Sequence, residues 1–265
     1  MIFETHAHFE DEKFDTDRVG LLSSMREKGI GNIIDVGSSI ETSEKAVELS
    51  RNYDFINAAV GVHPDSVGEL DDGGIRKLMD LASDPKVAAI GEIGPDFHYE
   101  SDPVKRERQI YWFRRQLDMA LELDLPVIVH SRDAAEITLD IMKEYSMKGL
   151  KAVIHCYSYS SEMAKCFISM GYKIGVGGVV TFKNAKKLAA AVEAVPIEAI
   201  LLETDCPYMA PEPHRGERND STLLPFVVKK ISEIKNLSTV EVEDRTYDNA
   251  LSLFQRVSDA RLMKK

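Results

Sequence analysis

The sequence predicts an α/β protein built as a (β/α)8 TIM barrel of the metal-dependent hydrolase type. Three observations carry this. Short apolar, β-branched runs alternate with helical patterns along the chain, as βα units around a buried parallel sheet require. Eight such runs occur in 265 residues. The spacing is therefore about 33 residues per unit, which suits a barrel of roughly 250 residues.

In order, the expected strands are Ile2 to His6, Asn32 to Val36, Phe55 to Val62, Val87 to Ile90, Pro126 to Val129, Lys151 to Ile154, Lys173 to Val176 and Ala199 to Leu202. The clearest helix follows Asp102-Pro103, with Asp as the cap and Pro in the first turn. Ile110, Phe113, Leu117, Ala120 and Leu121 then form its apolar face, spaced by threes and fours to cover the sheet. Near the C-terminus, Ser238 and Glu241 form a capping box and Leu237 and Val242 a hydrophobic staple, starting a helix from about Thr239 to Gln255. No linker, low-complexity segment or internal repeat interrupts the βα rhythm, so one domain over 1–265 is expected. The only long Pro-rich connection, Cys206 to Ser221, follows the last strand, and loops of that length are usually functional.

Composition narrows the function. With 44% hydrophobic and 29% charged residues the chain is an ordinary globular one, neither disordered nor collagen-like. No stretch free of Asp, Glu, Lys and Arg exceeds ten residues, against about 20 apolar positions for a membrane-spanning helix. No transmembrane segment is expected, and early acids (Glu4, Glu10, Asp11) argue against a secretory leader, so a cytoplasmic location is expected. Cys156, Cys166 and Cys206 lack C-x-x-C spacing and read as buried small hydrophobes rather than a disulfide or thiolate zinc framework. The net charge of −11 repels a long phosphate backbone. A few divalent cations could still attract one phosphate locally.

The chemistry lies at strand ends. His6 and His8 share one side of the first strand by the two-residue period. His63 follows the third strand, Glu92 the fourth, His130 the fifth, His155 the sixth, and Glu203 and Asp205 the eighth. A barrel would gather these five imidazoles and three acids at its C-terminal mouth, where barrel active sites lie. The donor set suits Zn, Mn, Fe, Co or Ni, whereas Mg prefers carboxylates and water. Two cations about 3.5 to 4 Å apart, bridged by a carboxylate, would lower the pKa of a shared water and stabilise an in-line displacement. Nucleotide-binding and serine-hydrolase motifs are missing. The Gly175-Val176-Gly177-Gly178 turn reads as a tight connection rather than a phosphate cradle.

Together the motifs Thr5-His6-Ala7-His8, Gly61-Val62-His63-Pro64, Gly91-Glu92-Ile93-Gly94, His130-Ser131-Arg132-Asp133-Ala134, Ile154-His155-Cys156-Tyr157-Ser158, Thr181-Phe182-Lys183-Asn184-Ala185 and Leu202-Glu203-Thr204-Asp205-Cys206-Pro207-Tyr208 resemble the TatD family of metal-dependent deoxyribonucleases. The resemblance runs nearly end to end. It implies a phosphodiesterase that removes nucleotides from DNA, preferentially single-stranded 3′ ends, using two divalent ions such as Mg, Mn or Zn. His6, His8, Glu92 and Asp205 match one metal position, and Glu92, His130 and His155 the other. Glu92, Asp205 and Glu203 are the expected catalytic acids; Glu203 shares the inward face with Asp205 by the two-residue period and could orient or deprotonate the attacking water or touch a metal directly. His63, Arg132 and Arg215 match positions near substrate phosphate, a role guanidinium suits. For Arg132 a salt bridge with Asp133 or a neighbouring loop is the plain alternative, and His98 and His214 read as surface histidines. DNA ends are the implied partners, with RNA as a further candidate substrate, and no membrane or obligate protein partner is implied. Pro95 stands where the family has Leu, and Asn219-Asp220-Ser221 where it has Asn-Glu-Pro, which bears on loop shape and substrate preference. The alternative reading keeps the metals and changes the bond to an amide, ester or lactone.

Overall fold

A computed structural model describes residues 1–262; the last three residues of the expected domain lie outside it. Eight strands follow one another around a parallel sheet in chain order: β1 (Ile2–Ala7), β2 (Ile30–Val36), β3 (Ile56–Val60), β4 (Val87–Ile93), β5 (Val127–Val129), β6 (Ala152–Ile154), β7 (Lys173–Val176) and β8 (Ile200–Leu202). All eight expected strands are present. β4 runs three residues further than its apolar composition indicated, because Gly91, Glu92 and Ile93 stay in the sheet. β3 is shorter at both ends.

The helices are α1 (Arg18–Ser23), α2 (Ile40–Asn52), α3 (Asp72–Ala82), α4 (Pro103–Glu122), α5 (Ala135–Ser146), α6 (Ser161–Ser169), α7 (Lys186–Ala194), α8 (Leu224–Lys235) and α9 (Thr239–Leu253). They bury one apolar layer against the outward strand residues, among them Ile33, Ala58, Val127, Val129, Ile154 and Leu202. Inside, Phe3, Ile34, Ala59, Ala88, Ile128, Val153 and Leu201 pack with Tyr247, Ala250 and Leu253 of α9 and with Phe254 at its C-cap. α9 therefore plugs the floor, leaving the opposite end of the barrel for polar residues. Its capping box forms as expected: Ser238 Oγ accepts from Glu241 N at 3.2 Å and Glu241 Oε2 accepts from Ser238 N at 2.9 Å.

α4 starts at its Asp-Pro pair, with Asp102 accepting from Val104 N at 2.9 Å. Its buried stripe is rotated from the expected one. Gln109, Trp112, Phe113, Gln116, Leu117 and Ala120 face inward, while Ile110 and Leu121 sit at the edge. The reason is polar. Gln116 Oε1 accepts from Val62 N at 2.8 Å and Nε2 donates to Val62 O at 3.1 Å, satisfying the backbone just beyond β3.

The barrel closes differently from its other junctions. Seven neighbouring pairs share ladders, whereas β8 meets β1 by one isolated bridge between Ala7 and Cys206. Asp205 N donates to His6 O at 2.9 Å and His8 N to Cys206 O at 3.0 Å. Side chains complete the seam: Thr5 Oγ1 donates to Leu202 O at 2.9 Å, and the buried Glu4 carboxyl accepts from His6 N at 3.1 Å, Thr204 N at 2.9 Å and Ser221 Oγ at 3.0 Å. Ser221 thus supplies a hydroxyl where the resembling motif has proline. Burial pushes Glu4 up to about 8, against the hydrogen bonds that lower it.

Candidate metal centre

Local irregularities aim the candidate ligand side chains. Along β1, Glu4 pairs with Ile33 and Ala7 with Asp35, three steps against two, which is a bulge spanning Thr5 and His6. Phe3 faces the barrel interior. Strict alternation from Phe3 would turn His6 outward; the bulge returns it, and His8 two residues on, to the interior. β4 repeats the device. Ile90 pairs with Val127 and Ile93 with Val129, so Gly91 and Glu92 together oppose Ile128, and the Glu92 side chain enters the mouth. Asp133, Cys156, Asp205 and Met209, all in loops at this end, have left-handed φ values of 45 to 58°. Such backbone is uncommon for these residues and marks a site held by its surroundings.

The strand ends bring the expected ligands into one cluster. His6 Nε2 lies 3.6 Å from both Glu92 Oε2 and Asp205 Oδ1 and 3.1 Å from His8 Nε2, which is 3.5 Å from Asp205 Oδ1. The other carboxylate oxygen, Glu92 Oε1, is 2.7 Å from His130 Nδ1 and 2.7 Å from His155 Nε2. His63 Nε2 is 3.8 Å from the same oxygen. His63, expected beside substrate, thus sits within reach of the second set: His63, Glu92 and His130 form one ligand-competent group and His6, His8 and Asp205 another. A third grouping, His6, His155 and Glu203, places Glu203 between them.

The donor set fits divalent ions. Imidazole nitrogens and carboxylate oxygens converge without thiolates. His6 Nδ1, His155 Nδ1 and Glu203 Oε2 are buried with no hydrogen-bond partner. Behind the cluster, His8 Nδ1 meets Val36 O at 2.7 Å, which leaves Nε2 facing Asp205. The charges are strongly shifted. Burial lowers His6 to about 4, with the neighbouring His155 adding to it. Burial opposes ionisation of Glu92, yet the imidazoles of His155 and His63 hold it well below the usual carboxylate range. His130 is pushed up to about 10, because Asp96 and Glu92 outweigh its burial. Burial raises Glu203 to about 7, partly offset by His155 and the Cys156 N–H.

Glycines make room for these groups. A Cβ on Gly175 would lie 2.0 Å from Glu203 Oε2, and one on Gly178 2.2 Å from Met209 O. The 175–178 turn is therefore a tight connection whose bareness seats Glu203. A cavity of about 920 Å³ opens over the cluster, lined by His8, His63, Glu92, His130, His155, Glu203 and Asp205.

The expected phosphate contacts divide. Arg132 lines the cavity, its guanidinium over the Tyr99 ring at 5.3 Å. The alternative pairing with Asp133 is not made; Asp133 bonds His98 Nδ1 at 2.7 Å. Arg215 lies outside the cavity lining, over the Phe182 ring at 4.4 Å. His214 pairs with Glu217 at 2.9 Å, away from the cluster. The cysteine expectation holds only for Cys206. Cys166 is exposed on α6, and Cys156 lines the cavity with its Sγ 3.9 Å from Met209 Sδ, because its left-handed backbone follows His155 out of the sheet.

A parallel barrel whose mouth gathers five imidazoles and three acids defines a metal-dependent hydrolase. The family described as TatD related DNase matches residues 3–255. The chain is 36% identical over 255 residues to the uncharacterized metal-dependent hydrolase YabD of Bacillus subtilis, covering 96% of this chain and 99% of the relative. It is 32% identical over 260 residues to the 3′-5′ ssDNA/RNA exonuclease TatD of Cronobacter sakazakii, covering 96% and 97%. Among solved structures, the TatD homolog YjjV of Escherichia coli superposes with a TM-score of 0.89 at 31% identity, covering 96% of this chain and 98% of that one. The protein belongs to the TatD-related DNase family.

Proposed function

We propose that the protein is a 3′-5′ exonuclease that removes nucleotides from single-stranded DNA, with RNA ends as a second substrate, in the cytoplasm with two divalent ions. One observation carries the reading: the two oxygens of a single carboxylate, Glu92, face separate ligand sets, His6 and His8 on one side and His130 and His155 on the other. Asp205 completes the first set. Mg, Mn or Zn held there would supply Lewis acidity and a water of lowered pKa.

The chain's own residues do the rest. Glu203, bound through Oε1 to Cys156 N at 2.5 Å, keeps Oε2 unpartnered for a proton taken from attacking water. Its raised affinity for that proton places it near neutrality. Arg132 offers a planar charge to a phosphate entering the cavity, and Tyr99 beneath it holds the guanidinium at the rim. His63 lines the same cavity, 3.8 Å from Glu92 Oε1, within reach of a phosphate drawn to the second set. Metal-reconstituted digestion of 3′- and 5′-end-labelled single strands tests bond type, polarity and cation together. Mononucleotide release from the 3′ end is expected. Turnover of amide, ester or lactone substrates without phosphodiester cleavage would instead favour an acyl hydrolase, which the acids at the cavity rim (Glu10, Asp11, Glu12, Asp65) also suit.

A further inference from the structure

We infer that Asp96 is a positioning residue that fixes the tautomer and aim of His130 toward the second ion; this rests on the two-ion reading above. Asp96 Oδ2 lies 3.0 Å from His130 Nε2, while His130 Nδ1 lies 2.7 Å from Glu92 Oε1. An ionised carboxylate only accepts hydrogen bonds, so Nε2 must carry a proton. In a neutral ring that leaves the Nδ1 lone pair, the atom that faces Glu92 and His155, free to ligate.

Asp96 is itself held at three points. Its N–H donates to the buried Gln109 Oε1 of α4 at 3.0 Å, its Oδ1 accepts from His98 N at 2.9 Å, and its backbone bridges to Arg132. The residue is buried, at 7% exposure. Two backbone bonds, Arg132 N to Pro95 O at 3.2 Å and Phe97 N to Arg132 O at 2.9 Å, lace its loop to the residues just beyond His130. Pro95, which departs from the resembling motif, costs nothing here because the lacing uses its carbonyl. The first set is anchored from behind as well: His8 Nδ1 meets Val36 O at 2.7 Å and lies 3.5 Å from Glu10 Oε1, whereas His130 Nε2 has the carboxylate of Asp96 at 3.0 Å. A carboxylate behind an imidazole makes it a more basic ligand, and removing such a partner typically costs about 10- to 100-fold in metal affinity.

The test is Co²⁺ titration of the chelated full-length protein, read by isothermal calorimetry and by the visible ligand-field spectrum. Asp96→Ala should weaken one of two binding steps by roughly 10- to 100-fold and change the spectrum of that step alone. Asp96→Asn keeps the acceptor but loses the charge, and should weaken the same step less. Unchanged thermal melting of both chelated variants separates aim from folding, and Asp96→Asn remains decisive if Asp96→Ala unfolds. Two steps with wild-type affinity and spectrum in both variants would overturn the role of Asp96. A wild-type protein that binds a single Co²⁺, unaffected by His130→Ala, would instead overturn the two-ion reading and the inference with it.

Discussion

Gly175→Ala is the most discriminating single change to the barrel mouth. The added carbon would stand 2.0 Å from Glu203 Oε2, 2.5 Å from Cδ and 2.7 Å from Oε1, closer than any stable contact. Glu203 is 1% exposed and tied through Oε1 to Cys156 N, so its carboxylate cannot swing away without breaking that bond. Forcing one methyl into a packed site costs about 1–3 kcal/mol, which for a chain of this size is a fall in Tm of roughly 2–12 °C. If Glu203 takes a proton from water, turnover on end-labelled single strands should drop by about 10²- to 10⁴-fold. Glu203→Gln separates the two effects, since the amide fills the same space: its Tm should stay near wild type while turnover falls comparably. Wild-type turnover in Gly175→Ala despite a lowered Tm would refute a chemical role for Glu203. An unchanged Tm would refute the packing argument.

Three other outcomes follow from the same contacts. Chelation should lower Tm, and restoring an ion at about 100 times its Kd should add about 2.7 kcal/mol of stability; Asp205→Asn, which strips a member of the first set, should shrink that gain in a thermal-shift titration. Gln116→Ala should cost about 1–3 kcal/mol in urea unfolding, because it leaves the buried Val62 N–H and carbonyl without partners. Glu4 holds its proton more tightly folded, at about 8, than at its ordinary 4.5, so its contribution is full below pH 4.5 and is lost as pH rises through 8. In chelated protein, unfolding measured from pH 4.5 to 9 should show a steeper loss of stability for wild type than for Glu4→Gln, and parallel curves would contradict that role.

Much of this was legible in the sequence because apolar runs and their polar stops are local signals. The eight strands, the gathering of His6, His8, His130 and His155 at one end, and both carboxylates at the end of β8 needed only the apolar runs, their polar stops and a count of units. What escaped depends on departures from that period or on the other face of a helix. Nothing local in Thr5-His6 or Gly91-Glu92 announces an extra residue in a ladder, yet those insertions decide that His6 and Glu92 point inward. Gln109 and Gln116 are absent from the apolar face expected for α4; their burial is set by unsatisfied backbone across the interface. Glutamines seven residues apart, in line with Trp112 and Phe113, were the available sign. Arg215 shows the limit of motif matching, since a charged side chain on a long loop can turn to an aromatic ring instead of the cavity.

The seam between β8 and β1 is also where His6, His8 and Asp205 stand. The two backbone bonds there, from Asp205 N to His6 O and from His8 N to Cys206 O, are made by those three residues and Cys206. A cation gripped by them would act as a rivet through the one joint of the cylinder that lacks a ladder. Loss of that ion through the open mouth would leave the joint to its two backbone bonds and the side chains around Glu4, so this seam should be the first part of the wall to loosen when the ion departs.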